Sequence, residues 1–592
     1  LMAWTSSLFR FILIIDWTIA TLQSQELCRP ARWGGSLLQD SPKVALAYQS
    51  KSKSNIKYWV LGAGMTVLIL YLAKPLLSNE ANLPGATKKP GEFDVVSWNM
   101  AAVNNNPFEY WISSKDKAYN KMMDDVAAFI ENPGSKDVEV KEILTPARFT
   151  QLEQLMTQAD MPESSIAATR VEYETNYQHR KIISEFMKDG DLGKKRLASM
   201  PDRFTNTINT DKGQAYRPTV INCYEGELGS LDQWWSSWTN FMFNDYITLV
   251  KSEGRSETTL PVKMLAPIKK SKYPAITLEE EAISIPLQTM AAAIFDGILV
   301  YMMGMVAPKD WQRLRSDMCS SLNKKKNTRS VEILTQSYNE ADIIFLQEVA
   351  TAFINTAKVS ALGNQYEVLH PKVLAQRDQN SVILLRKGLF DLDSLREVTS
   401  EALGMLDQNI QVPVADGDLF AIMINDNSGK QHLLASFHGD TNGLATIPIV
   451  SAVHQYAQSA GHPRLIFGLD ANTYEKGGVE LGLQDMMEFV KDFSSKGILS
   501  VWGNNPNPQN YTTYNARTFL QPQLNKALKS SEKRSKGDIN PKDFILFYKD
   551  QLTSTGTIKD NTGSRKYIEE MVFPTLQFPS DHGILSSKVS PL

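Results

Sequence analysis

Residues Ile343, Ile344, Phe345 and Leu346 form an unbroken apolar run that passes, with no turn residue, into Gln347 and Glu348. A run this short and dense is the pattern of a central strand covered on both faces, so the chain must supply layers above and below it. The carboxylate at its end loses hydration, which is costly unless something positive faces it. The same habit recurs along the chain. DVVSWN ends in Asn99, LLASFH ends in His438, and LIFGLDAN supplies Asp470 and Asn472. KDFILF brings Asp543 at its start, and FPSDHGIL presents Asp581 and His582. Singly, each has a plain structural reading: a strand-end cap, a turn carboxylate, an Asx turn in DANT, a solvated loop in SDH. Six together, drawn only from Asn, Asp, Glu and His, imply one rim where side chains converge. The i, i+2 spacing of Asp470 and Asn472 puts both on one side if the strand stays extended.

From Ile343 onward the chain alternates strand-like runs (YEVLH, NSVILLRK, LFAIMIN, HLLASFH, RLIFGLD, DFILFYK, HGILSSKV) with helical connections such as IPIVSAVHQYAQSA and LQDMMEFVKDFSSKG. Buried strands mixed with helices indicate an α/β sandwich. The strand Phe93–Asn99 belongs to the same pattern but stands more than two hundred residues ahead of it. The sandwich is therefore expected over 92–111 and 330–592, with 112–329 a mostly helical insertion. Its last helix includes Met290–Ala307, and Asp296 within that apolar stretch favours a buried globular helix over a membrane span. Trp234, Trp235 and Trp238 read as insertion core rather than a ligand cage.

The N-terminal end differs. Residues 56–77 include about twenty largely apolar residues with Tyr58, Trp59 and Tyr71 at interfacial positions, enough for a transmembrane helix. Lysines on its two sides lean only slightly toward an N-terminus in the cytosol. Residues 78–91 form a Pro/Gly/Lys linker. Residues 1–50 are left out of the fold reading, since LFRFILIIDWTIATL fits a targeting sequence, a second anchor or mistranslated upstream sequence. The opening Leu1 fits a fragment or an uncertain gene model. The chain has 592 residues with a net charge of -3, so any role on nucleic acid must rest on local patches. Cys28, Cys223 and Cys319 are far apart without metal-ligand spacing, which speaks against a disulfide framework or zinc finger and leans toward a reducing compartment.

Hard oxygen donors such as Glu348, Asp581 and Asn99 suit Mg²⁺, which is typically held by one or two carboxylates plus substrate phosphate. No Ser or Cys nucleophile motif accompanies them, so attack by water is the economical chemistry. In order, SWN, LQEV, SFHGD, GLDAN, DFILF and PSDHGIL resemble the endonuclease/exonuclease/phosphatase superfamily. The resemblance covers slightly under half of the chain. It implies a two-sheet, four-layer α/β sandwich and a Mg²⁺-dependent (or Mn²⁺-dependent) hydrolase of phosphoric esters. By that resemblance Glu348 is the principal metal ligand, with Asn99 and Asp581 completing the metal environment. Asp470 orients or deprotonates the attacking water, and Asn472 holds the phosphate. His582 contacts the scissile phosphate with its ring oriented by Asp543, and His438 stabilises charge on the phosphoryl oxygens. His179, His370, His432, His454 and His462 lack motif context and read as structural or surface residues.

Three features depart from the family pattern: the length of the insertion, the FHGDTNG turn with Asp440 and Asn442, and Asn104 to Asn106, which either reach phosphate or form a loop. PSDHGIL and QNSVILLRK lean toward nucleotide-directed members, whereas the anchor is similar to that of neutral sphingomyelinases. Lys526, Lys529, Lys533, Arg534 and Lys536 would attract any polyanion, or form a solvated loop. The reading is a membrane-anchored phosphodiesterase acting on nucleic acid or nucleotides. The alternatives are a phospholipid or phosphoinositide hydrolase and an inactive membrane scaffold. Glu348→Ala is expected to cut turnover by about a hundredfold or more; near-normal activity of the purified variant contradicts this.

Overall fold

The computed structural model describes residues 90–592 apart from 251–255, 376, 408, 517–519 and 521–536. The candidate membrane helix 56–77, nearly all of the 78–91 linker, residues 1–50 and the lysines and arginine of 526–536 lie outside the described residues. Strand β1 (Phe93–Asn99) leads into the helical insertion, which carries four short strands: β2 (Thr207–Thr210), β3 (Gly213–Tyr216), β4 (Ile247–Val250) and β5 (Ser256–Thr259). The main sheets resume with β6 (Ile343–Val349), β7 (Tyr366–Leu369), β8 (Asn380–Arg386), β9 (Phe390–Glu397), β10 (Leu419–Asp426) and β11 (Gln431–His438). They finish with β12 (Arg464–Asp470), β13 (Ile498–Ser500), β14 (Asp543–Tyr548), β15 (Leu552–Asp560) and β16 (Ile584–Pro591).

Two six-stranded sheets result, ordered β15-β16-β1-β6-β8-β7 and β13-β14-β12-β11-β10-β9. Period-2 alternation explains how they stack. In β1, Phe93 and Val95 face the second sheet, in a core with Ile343, Phe345, Leu434, Ile466 and Ile545. Val96 and Trp98 face outward against helix Lys326–Ser337 and helix Thr351–Val359. The second sheet's outer face is covered by helices Thr446–Ser459 and Met486–Ser495. Four layers follow, as expected. Gly468 marks a close approach between sheets, since a Cβ there would sit 2.5 Å from the Phe345 ring. Gln347 crosses the same interface, its amide donating to Ser97 Oγ (3.3 Å) and Ser436 Oγ (3.1 Å).

Strand directions put the polar ends on one rim. In the first sheet β1 and β6 run parallel, and in the second β11 and β12 do. Their C-terminal residues Asn99, Glu348, His438 and Asp470 therefore share an edge. β14 and β16 run antiparallel to those neighbours and begin at that edge, which adds Asp543 and the Asp581–His582 turn.

The insertion has its own core, in which Trp234, Trp235 and Trp238 are buried. Helix Ser284–Val306 is long and apolar enough to cross a membrane, yet it is mostly buried among its neighbours. Asp296 explains why it stays there. Its carboxylate accepts from Arg217 Nε (2.8 Å), Thr219 Oγ1 (2.7 Å) and Trp238 Nε1 (3.0 Å). The cysteine expectation needs correction, because folding of the insertion brings Cys223 and Cys319, 96 residues apart, to a Cα separation of 5.6 Å in a disulfide. One bridge is not a framework, but it removes the compositional lean toward a reducing compartment. Asp296→Ala leaves buried Arg217 with only Asp202 as a carboxylate partner. It is expected to cost about 3 kcal/mol or more in urea unfolding; a loss below about 1 kcal/mol contradicts this account.

Candidate active site

A bulge aims Glu348. Strand alternation would send it outward with Ile344 and Leu346, but the pairing of β6 with β8 shifts register between Leu346 and Val349. Val349 returns to the outer core, leaving Gln347 and Glu348 to occupy one step of the ladder. Glu348 takes a left-handed φ of 52°, rare for a residue with a side chain. Its carboxylate accepts from Asn99 Nδ2 (3.0 Å) and the Ala102 N–H (2.8 Å), and His438 Nε2 lies 3.1 Å away. Burial pushes its pKa up, and the His438 charge with those donors more than reverses this, holding the carboxyl well below its usual range. Burial likewise pulls His438 down, and the Glu348 and Asp470 carboxylates raise it overall.

Asp470 is fully buried across the sheet interface. Its Oδ2 accepts from Asn99 Nδ2 (2.8 Å) and lies 3.7 Å from His438 Nε2 and 3.6 Å from His582 Nε2. Asn472 reaches the site differently from the extended path expected. It turns at a left-handed φ of 47°, its N–H donating to Asp470 Oδ1 (2.9 Å) in an Asx turn. The Asn472 side chain still faces the rim, with Nδ2 3.4 Å from His438 Nε2 and Oδ1 accepting from Lys542 Nζ (2.9 Å). His582 Nδ1 lies 2.9 Å from Asp543 Oδ2, and Trp98 Nε1 donates to the His582 carbonyl (3.1 Å).

Ligand atoms of Glu348, His438 and Asp470 lie within 4.8 Å of one another, as do those of Asp470, Asp543 and His582. The structure does not bring Asp581 into either group; its carboxylate accepts from Tyr110 Oη (2.8 Å) at the rim. Asn99 turns its amide nitrogen, not its oxygen, toward the carboxylates, the oxygen accepting from the Ala101 N–H (2.8 Å). The Asp440 carboxylate accepts from the N–H groups of Asn442 and Ala445, so FHGDTNG is a self-capped turn. Asn104, Asn105 and Asn106 are likewise tied into loop contacts with Glu109, Asn323 and Phe108. His432 is buried on Asp426 (2.9 Å), away from the rim.

One family model matches, a domain of unknown function (DUF8234), over residues 137–316, within the insertion. Among solved structures, the catalytic domain of human Nocturnin with bound sulfate is 16% identical, with 46% of this chain and 89% of that one covered at a TM-score of 0.30. D. rerio TDP2 complexed with single-strand DNA product is 15% identical over 44% of this chain and 90% of that one, at 0.29. An endonuclease/exonuclease/phosphatase from Bacteroides vulgatus is 11% identical over 45% and 91%, at 0.30. A second protein described as endonuclease/exonuclease/phosphatase family, from Bacteroides thetaiotaomicron, is 14% identical over 46% of this chain and 92% of that one, at 0.30. No curated protein matches the chain.

Sequence reasoning missed four contributors. Lys542 precedes Asp543 and is buried; burial lowers its pKa, and Asp538 and Asp470 raise it well above the usual lysine value. A lysine opening an apolar strand was a legible signal. Gln379 Nε2 donates weakly to Glu348 (3.4 Å) and sits in QNSVILLRK, a motif read for other reasons. Lys326 and Tyr110 carried no signal, one lying in a lysine run and the other in an unpatterned loop.

Burial pulls the His582 pKa down, and the Asp543 and Asp470 carboxylates more than reverse it, to well above the usual value. In metal-free protein, while Asp543 stays ionised, the His582 charge therefore stabilises the fold fully just below about pH 6.5 and fades as pH rises through the raised value. Asp543→Asn is expected to move the His582 NMR titration to lower pH; an unmoved titration contradicts the assignment.

Proposed function

We propose that the chain is a Mg²⁺-dependent hydrolase of phosphoric esters of the endonuclease/exonuclease/phosphatase type. The gathering of Glu348, His438 and Asp470 ligand atoms within 4.8 Å carries this reading. The donor set fits a hard divalent cation. Two carboxylates from different sheets lie side by side, offset only by one amide nitrogen and an imidazole. Glu348 would hold the metal, with Asp470 and His438 beside it; Mn²⁺ suits the same donors. When bound, such an ion neutralises the carboxylates and polarises the phosphoryl oxygens.

The residues themselves supply the rest. Asp470, oriented by the Asn472 N–H, is the proton acceptor for attacking water. His582, locked by Asp543 with its pKa raised by the neighbouring carboxylates, donates to a phosphate oxygen. Asn472, steadied by Lys542, fixes that phosphate. Asn99 bridges the carboxylates and sets their spacing, and Asp581 marks the rim on the Tyr110 side.

The substrate reading is nucleic acid or a nucleotide, supported by the PSDHGIL and QNSVILLRK motifs. We propose further, from its apolar sequence alone, that the 56–77 segment anchors the chain in a membrane through one span. The second reading, a phospholipid or phosphoinositide hydrolase, is favoured by that anchor. Full-length protein in detergent, assayed with Mg²⁺ or Mn²⁺ against RNA, DNA, nucleotides, sphingomyelin and phosphoinositides, decides between them. EDTA-sensitive cleavage of nucleic acid or nucleotides is expected. Cleavage of lipid alone overturns the substrate, and no metal-dependent cleavage at all leaves the scaffold reading.

A further inference from the structure

Lys326 opens helix Lys326–Ser337, immediately after the insertion's last helical turn at Ser320–Lys324. Its side chain is buried with only 4% of the residue exposed. The ammonium donates to the carbonyls of Ala101 (2.5 Å) and Ala102 (3.1 Å), the residues that leave β1. Burial drags its pKa down to about 8, although the Asp581 and Glu348 charges oppose that. A buried ammonium is costly, and an apolar side chain would pack there without the cost. What it holds explains why it is there.

The Ala101–Ala102 peptide unit is gripped at both ends. Its oxygen accepts from Lys326, and its N–H donates to Glu348 Oε2 (2.8 Å). A cation on the carbonyl polarises the peptide and strengthens the bond its N–H makes. Ala101 is left-handed, with φ of 54°, and Glu348 is left-handed too. Two strained residues thus face each other across one hydrogen bond. Such strain persists only where the surroundings over-determine it. Asn99 Oδ1 fixes Ala101 from one side, and Lys326 fixes it from the other. Asn323, at the end of the insertion, grips the same loop by donating to Asn105 Oδ1 (2.9 Å).

We infer that Lys326 is a positioning residue through which the end of the insertion clamps the Ala101–Ala102 peptide and so fixes Glu348 for its cation. This rests on Glu348 being a cation ligand. Positioning and charge predict opposite signs. An ammonium that merely lies near the site repels a divalent ion, so its removal tightens binding. An ammonium that holds the peptide on Glu348 weakens binding when lost.

The test is calorimetric titration of the metal-free full chain in detergent with Mn²⁺ alone. Lys326→Met is expected to weaken Mn²⁺ by about tenfold or more, and Lys326→Arg to stay within a few-fold of the native chain. Unchanged or tighter binding in Lys326→Met overturns the inference. If that variant does not fold, Asn323→Ala loosens the same loop; weaker Mn²⁺ binding supports the inference, and unchanged binding overturns it. Absence of Mn²⁺ binding by the native chain removes the metal-site reading itself, and this inference with it.

Discussion

One amide nitrogen joins the two halves of the sandwich at its working edge. Asn99 Nδ2 lies 3.0 Å from Glu348 on the first sheet and 2.8 Å from Asp470 on the second. Two buried carboxylates at close range repel unless donors or cations lie between them. The fold supplies both: this amide, the Ala102 N–H and the His438 imidazole. Everything else at the rim secures that arrangement. Gln347 staples the sheets one residue before Glu348, and Gly468 lets them approach where Phe345 packs.

The chemistry depends on strand direction as much as on residue type. Parallel pairs at the centre of both sheets bring four C-terminal ends to one edge, and antiparallel neighbours return two more segments there. The left-handed turn at Glu348 then re-aims a side chain that an extended strand would point outward, and Asn472 reaches the rim through a left-handed turn of its own. Precision at this edge comes from local strain held by hydrogen bonds, a common economy where geometry matters more than stability.

Much of this was legible in the sequence because buried strands write dense apolar runs. IIFLQE, LLASFH, LIFGLD and DFILF are central strands, and their polar ends do meet. Two of the edge strands were not legible. β9, FDLDSLRE, and β15, LTSTGTIKD, expose much of their length and lack an apolar signature, so each reads as loop. The segment after Phe243 reads as a continuation of the Trp-rich helix, but pairs instead as β4, where β-branched residues favour a strand. Within the site, the His582–Asp543 pairing was implied by the family resemblance, whereas the route by which Asn472 reaches the rim required backbone conformation. The disulfide was invisible because 96 residues of sequence separation say nothing about distance after folding.

The insertion is bound to the site it interrupts. Asn323 and Lys326, at its end, hold the loop above Glu348, so the helical layer touches the rim through a few short contacts. The most direct measurement of the central claim is a crystal structure of the protein soaked with Mn²⁺, with the ion located by its anomalous scattering. A single peak in direct bonding distance of the Glu348 carboxylate and beside Asp470 is the result this account predicts. A peak elsewhere, or none at saturating Mn²⁺, contradicts it.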